Sequence, residues 1–178
     1  VHPEKLSRRY DDSSAQPQNP SLTRFLEDLR REGVLIFDPA SSLAPQRAGG
    51  PQYLATDTHW RPEAVEAAAD ALGRMLNGVG LPDVAAPGYR IERVEVRNVG
   101  DTARMLDLPE TASLLPAETV WLRRVLRPDG TPWRSDRAAD VLLLGDSFTN
   151  IYSLESMGWG TSVGLAEQLS YVLGRPVD

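Results

Sequence analysis

Val141-Leu142-Leu143-Leu144-Gly145-Asp146-Ser147-Phe148 is an unbroken apolar run that stops at a serine flanked by glycine and acid. Four aliphatic residues without a polar break predict a strand buried on both faces, and Gly145-Asp146 marks the turn where its carboxyl end meets solvent. A hydroxyl at that turn stands at the rim of a sheet, where open α/β folds carry their chemistry. Equally open on this segment alone is a serine that merely caps whatever follows a core strand.

Outward from this stretch, strands and helices alternate. Asn19-Pro20 opens a helix, Asn19 as cap and Pro20 in the first position, with Leu22, Phe25, Leu26 and Leu29 on one face before Gly33 ends it. Val34–Phe37 follows as a second buried strand that ends at Asp38-Pro39. Residues 40–50 read as a loop with Pro45 and the Gly49-Gly50-Pro51 breaker. A second helix starts at Pro62, carries Val65, Ala68, Ala69, Leu72, Met75 and Leu76 at helical spacing, and ends at Asn77-Gly78. Arg90–Val99 alternates as a half-exposed strand, with Val94 and Val96 on one side and Glu95 and Arg97 on the other. A short helical piece over Asp101–Leu106 is expected next. Arg127-Pro128-Asp129-Gly130 predicts a hairpin between 121–126 and 131–133. Beyond Ser147, a loop with Gly158 and Gly160 leads into a helix from about Ser162 to Leu173, with Gly174 behind it. This order predicts an α/β layer fold with a mainly parallel sheet and a small hairpin excursion. Residues 1–18, polar and rich in Ser, Asp, Gln and Pro, read as a flexible lead-in to a domain over 19–178. Both ends look cut from a longer chain.

At 178 residues the chain is long enough to bury a core without staples. A formal charge of −6 with no Lys/Arg block argues against nucleic-acid binding. Zero cysteines exclude a disulfide framework, a thiol nucleophile and Cys-based zinc sites.

A serine hydroxyl is a poor nucleophile until a base takes its proton, and imidazole is the side chain matched to that task near neutral pH. Of the two histidines, His2 lies in the lead-in, which leaves His59 as the candidate base. Asp57 stands two residues before it, where its carboxylate can reach the ring nitrogen that the serine does not use. The alternative readings are a packing histidine beside Trp60 and an Asp57 or Thr58 that caps the helix at Pro62. No metal and no cofactor are expected, because an Asp57–His59 metal site would need an oxygen-rich set for which no further histidine or cysteine is at hand. The Ser147 amide is the first oxyanion donor to consider, with Asn98, Asn150 and the Gly158-Trp159-Gly160 loop, Gly160 above all, as further candidates. Trp60, Tyr53, Tyr152 and Trp159 lie near these motifs as candidate sugar platforms, although core packing explains each as well. Arg104 is a candidate partner for a uronate carboxylate, or a solvent-facing helical arginine.

Thr56-Asp57-Thr58-His59-Trp60 followed by Pro62-Glu63-Ala64, then Gly100-Asp101-Thr102-Ala103-Arg104-Met105-Leu106, then Gly145-Asp146-Ser147-Phe148, resembles the alginate O-acetyltransferase family, the AlgX/AlgJ-like branch of the SGNH hydrolase superfamily. The likeness runs from about Val34 to Pro176. Ordinary SGNH hydrolases place the serine block first, whereas here, as in this family, Asp-x-His precedes the serine. A triad is defined by geometry and not by chain order. The resemblance implies a three-layer α/β/α domain in which Ser147 is the nucleophile, His59 the base and Asp57 its orienting partner. It further implies an extracytoplasmic enzyme that moves acetyl groups onto hydroxyls of an exopolysaccharide through an acetyl-serine, with acetyl supplied by a membrane-bound O-acyltransferase partner. A plain acetylesterase with the same residues, and a non-catalytic polysaccharide-binding module on the same scaffold, are the competing readings.

Overall fold

The computed structural model describes residues 19–39, 43, 49–82, 84–107 and 115–178; the expected lead-in over 1–18 and most of the expected loop over 40–50 lie outside these. In chain order the elements are helix α1 (Pro20–Arg31), helix α2 (Pro62–Gly78), strand β1 (Arg90–Asn98), short helix α3 (Asp101–Met105), strand β2 (Glu118–Leu126), the four-residue helix α4 (Ser147–Asn150), a 3-10 turn (Glu155–Met157) and helix α5 (Leu165–Leu173).

β1 and β2 pair antiparallel, with Val94 opposite Leu122 and Val96 opposite Val120. Side chains alternate across a strand, so these four residues share one face. That face is the core: Val120 and Leu122 are fully buried, and Val94 and Val96 pack against the same cluster. On the other face, at mid-strand, the Arg93 guanidinium lies 4.4 Å over the exposed Trp121 ring, while Arg124 and Glu92, 3.3 Å apart, stand on the core-side row toward the end of the pair. Beyond β2, the expected turn at Arg127–Gly130 is closed by Arg127 N–H to the Thr131 carbonyl at 2.8 Å and Trp133 N–H to the Val125 carbonyl at 3.0 Å.

α2 buries Ala64, Val65, Ala68 and Ala69 and crosses α5 closely. Gly73 makes that approach possible, because a Cβ there would lie 2.6 Å from Val172 Cγ1. Leu54, Trp60, Ile151, Tyr152, Trp159 and Val163 fill the space between these helices and the sheet.

The two expected buried strands are corrected. Neither Val34–Phe37 nor Val141–Leu144 joins a strand ladder, and Leu142 and Leu144 are 65% and 82% exposed. The Val141 segment has one neighbour in register: Asp178 N–H donates to the Val141 carbonyl at 3.0 Å and Leu143 N–H to the Asp178 carbonyl at 2.9 Å. That is the slanted bonding of a single parallel step. An apolar run signals a wish for burial, but a strand also needs a neighbour paired along several residues, and the described residues offer this run only the single step at Asp178. The expected parallel central sheet is therefore not among the described residues, whose one sheet is the antiparallel pair. α1 likewise buries none of its residues. Among the described residues, no helix is long and apolar enough to cross a membrane.

One acid is buried within the helical layer. Glu167 of α5 accepts the Ser153 hydroxyl at 2.8 Å, and burial pushes its carboxyl from 4.5 up to about 7, against the pull of its own amide and of Ser153. Between these two values the folded state holds a proton that the unfolded state has lost, so stability declines as pH rises through the window and stays low above it. Glu167→Gln keeps an acceptor for Ser153 and removes the ionisation. Its melting temperature should exceed the parent's by roughly 4 °C at pH 8, an effect on the order of 2 kcal/mol, and approach it at about pH 4, below the window. Equal differences at both pH values in a thermal melt would refute this.

Candidate active site

The loop from Tyr53 to Trp60 is pinched at its base by a bridge between these two residues, with Leu54 N–H on the His59 carbonyl at 3.0 Å. Two distant parts of the chain hold it, Glu118 and the Gly100-Asp101 step. Glu118, at the start of β2, accepts the amides of Ala55 and Thr56 at 3.0 and 2.7 Å and the Thr56 hydroxyl at 2.6 Å. Asp101, opening α3, accepts the Thr58 amide at 2.8 Å and its hydroxyl at 2.6 Å. Gly100 lies flat against the loop, since a Cβ there would stand 2.4 Å from both Asp57 Cβ and the Thr56 carbonyl oxygen.

Inside this frame Asp57 and His59 meet. The two side chains are buried, and His59 Nδ1 lies 2.6 Å from Asp57 Oδ1, which also accepts the His59 amide at 3.1 Å. Asp57 Oδ2 accepts the Asp101 amide at 3.0 Å and the Trp159 indole N–H at 2.8 Å. Burial alone would raise the Asp57 carboxyl, but the bonds from His59, Trp159 and the amides of Asp101 and His59 outweigh it and hold the carboxyl well below the usual carboxylate range. An ionised Asp57 only accepts, so Nδ1 carries the proton and Nε2 presents a lone pair. Nε2 is buried and has no hydrogen-bond partner among the described residues. An orphaned buried nitrogen costs about 1–3 kcal/mol in a folded protein.

Ser147 is the first residue of α4, exposed, behind the Asp146 cap whose carboxylate accepts the Phe148 amide at 2.9 Å. The serine turn and the histidine loop are tied together one residue away from each functional group. The Phe148 ring sits 4.9 Å from the His59 ring, and Trp60 donates its indole N–H to the Phe148 carbonyl at 2.9 Å. The structure thus joins Asp57 to His59 directly and sets Phe148, the chain neighbour of Ser147, against the His59 ring and Trp60, with no hydrogen bond between the serine hydroxyl and Nε2.

The remaining candidates separate by burial. Tyr152 has no exposed surface and donates its hydroxyl to the Trp60 carbonyl at 2.8 Å, and Trp60 is buried beside it. Both are core residues here and offer no face to a sugar. Tyr53 is half-buried at the loop base. Arg104 is exposed on α3, its guanidinium on Asn98 Oδ1 at 2.7 Å. The Asn150 amide folds back onto the Asp146 carbonyl at 3.0 Å, and Gly160 packs where a Cβ would lie 2.7 Å from Leu122 Cδ1. Turn closure and packing account for these two positions. Asp57, His59 and Asp101 each offer a ligand atom within 4.8 Å of the others. The Asp57 and Asp101 oxygens that would bind a cation already accept the hydrogen bonds given above, so the trio reads as a hydrogen-bond network. Sequence reasoning missed Glu118 and the Trp159–Asp57 bond.

A family model described as "SGNH hydrolase-like domain, acetyltransferase AlgX" matches residues 1–178. A probable alginate O-acetylase AlgJ of Pseudomonas aeruginosa is 28% identical over 142 residues, which covers 80% of this chain and 34% of that protein. The protein of the same description in Pseudomonas putida is 28% identical over 134 residues, covering 71% and 35%. The chain spans about a third of the length of these relatives. Among solved structures, the O-acetyltransferase domain of Pseudomonas putida AlgJ superposes with a TM-score of 0.69 at 22% identity, over 96% of this chain and 58% of that one. Pseudomonas aeruginosa AlgX superposes with a TM-score of 0.55 at 16% identity, over 87% and 33%. At these identities the likeness carries the fold, an α/β fold of SGNH hydrolase type.

Proposed function

This chain belongs to the AlgX family of SGNH hydrolase-like acetyltransferase domains, and from that premise we propose that it is a serine-dependent O-acetyltransferase acting on hydroxyls of an acidic exopolysaccharide outside the cytoplasm. The observation that carries the reading is the buried Asp57–His59 pair at 2.6 Å, whose Nε2 is left bare beside the Ser147 turn.

In the proposed cycle His59 Nε2 takes the Ser147 proton as Oγ bonds to the carbonyl carbon of an acetyl ester, and the imidazolium returns that proton to the departing alcohol. The acetyl now sits on Ser147. A sugar hydroxyl then attacks the same carbon, its proton passes to Nε2 and on to the serine oxygen, and the acetylated sugar leaves. Asp57, kept ionised, holds the imidazole in the tautomer that both steps need and stabilises its cation. The hydroxyl comes within reach of Nε2 when substrate is bound, as catalytic hydrogen bonds often tighten only in the complex. The relatives' names point to alginate as the acceptor, and a membrane-bound O-acyltransferase is the proposed source of acetyl.

Ser147 is exposed, so water has the same access to an acetyl-serine as a sugar, and this observation keeps an acetylesterase as the second reading. The two separate when purified protein is given 4-nitrophenyl acetate with and without uronate oligosaccharides. A transferase diverts acetyl onto the sugar, visible by mass spectrometry; an esterase releases acetate at an undiminished rate and leaves the sugar unmodified.

Arg104, exposed one helical turn beyond Asp101, is the proposed anchor for the acceptor's carboxylate. Arg104→Ala should raise KM for an acidic acceptor roughly fivefold, the scale of an exposed ion pair, and change a neutral acceptor's KM far less. An unchanged ratio between the two acceptors would remove this role.

A further inference from the structure

A buried indole needs an acceptor for its N–H, and a backbone carbonyl usually supplies it. Trp60 follows that habit, with its N–H on the Phe148 carbonyl. Trp159 does not. It has no exposed surface, and its N–H goes to a carboxylate oxygen, Asp57 Oδ2, at 2.8 Å.

The chain is shaped to deliver it there. Gly158 has φ +78°, and a Cβ on it would lie 2.6 Å from Asn98 Nδ2 at the end of β1; Gly160 has φ +96°, and a Cβ on it would lie 2.7 Å from Leu122 Cδ1 on β2. Backbone of that hand and space of that size suit glycine at both positions. The two glycines bring this loop against β1 and β2, and the indole between them reaches the acid of the histidine loop.

An aspartate carboxylate turns freely about its last torsion unless both oxygens are held. Here Oδ1 faces His59 Nδ1, and Oδ2 is fixed by two donors, the Asp101 amide at 3.0 Å and the indole. A hydrogen bond to an ionised oxygen is about twice as strong as a neutral one. Loss of the indole takes one donor from Oδ2, leaves the Asp101 amide in place and loosens the carboxylate against which the imidazole is set.

We propose that Trp159 is a positioning residue of the acyl-transfer site, fixing the Asp57 carboxylate through Oδ2 and thereby the orientation of His59. This rests on the reading of Ser147, His59 and Asp57 as the acyl-transfer machinery. Two variants test it: Trp159→Phe, and a chain with benzothienylalanine at 159, which keeps the indole's shape, exchanges N–H for sulfur and retains a testable fold if the phenylalanine variant does not.

The first readout needs no turnover. The proton between His59 Nδ1 and Asp57 Oδ1 should give a low-field NMR resonance that is absent in Asp57→Asn and moves and broadens in both Trp159 variants. The second is kinetic: kcat for 4-nitrophenyl acetate should fall roughly 10- to 100-fold, the usual effect of losing an outer partner of a site, with KM changed by less than about twofold. In an Asp57→Asn background the same substitution should add nothing, because the two residues act as one unit. An unmoved resonance in the benzothienyl variant, or equal losses in both backgrounds, overturns the proposal. A parent protein that shows the resonance but acylates from no acetyl ester would instead refute the acyl-transfer reading, and the resonance would still decide whether Trp159 positions Asp57.

Discussion

Ser147→Ala should lower acetyl release and acetyl transfer by about 10,000-fold or more, since removing the nucleophile of a triad leaves only the catalysis supplied by binding and oxyanion stabilisation. The same substitution should leave the fold intact. Ser147 is exposed at the start of a four-residue helix, and that turn is held by the Asp146 carboxylate on the Phe148 amide, the Asp146 carbonyl under Thr149 and Asn150, and the Trp60 bond to the Phe148 carbonyl. None of these uses the serine hydroxyl. Surface changes of this kind shift stability by about 0.5 kcal/mol at most. Activity and melting temperature should therefore part company, and intact-mass spectrometry of the parent after a brief exposure to 4-nitrophenyl acetate should show one added acetyl that the alanine variant lacks. Full transfer by Ser147→Ala would end the acetyl-serine scheme.

Asp57→Asn should be nearly as damaging, by about 1,000-fold to 10,000-fold in kcat, and for a different reason. Asp57 is surrounded by donors: His59 Nδ1 and the His59 amide at one oxygen, Trp159 and the Asp101 amide at the other. A carboxamide has one acceptor oxygen and one NH2 group. If its oxygen stays on the histidine, its NH2 confronts the indole N–H and the Asp101 amide. If it turns over, the NH2 points at Nδ1, which must then accept, and the ring proton moves to Nε2 where the base is needed. Either arrangement costs stability as well as rate. The sign of the pH effect follows from the depressed carboxyl. Its contribution to stability is complete above the ordinary aspartate value of 3.8 and is lost only as pH falls toward the folded value. The stability gap between parent and Asp57→Asn should be constant from pH 5 to 8 in denaturant titrations and narrow below pH 4. A gap that widens on acidification would refute the assigned ionisation.

The features legible in the sequence are those with short-range causes. Asn19 caps α1, accepting the Ser21 amide at 3.0 Å, and Pro20 opens it, because capping is settled within three residues. Asp57 and His59 meet because two residues of one tight loop have little else to reach. Arg127–Gly130 turns as its proline and glycine require. What failed depended on distant partners. Val34–Phe37 and Val141–Leu144 were read as buried from composition, but burial belongs to a pair of surfaces, and the second surface is not encoded in the run itself. Trp60 and Tyr152 looked like sugar platforms because aromatic residues near a motif are ambiguous until one knows which side of the loop the core occupies. The bond from Trp159 to Asp57 spans 102 residues, and the clamp by Glu118 spans 62; no local pattern announces either.

Gly100 bears on how mutational data for such a domain should be interpreted. Any side chain there would collide with Asp57 Cβ and the Thr56 carbonyl, so a saturation scan scored by activity would rank position 100 with the proton-transfer residues. An observer mapping severe scores onto the surface would then enlarge the active site by a residue that contributes no atom to the reaction. Its contribution is an empty volume, and a tolerance profile in which even alanine fails at 100, while Ser147 accepts alanine at full folded yield, distinguishes a space that must stay vacant from a group that must be present.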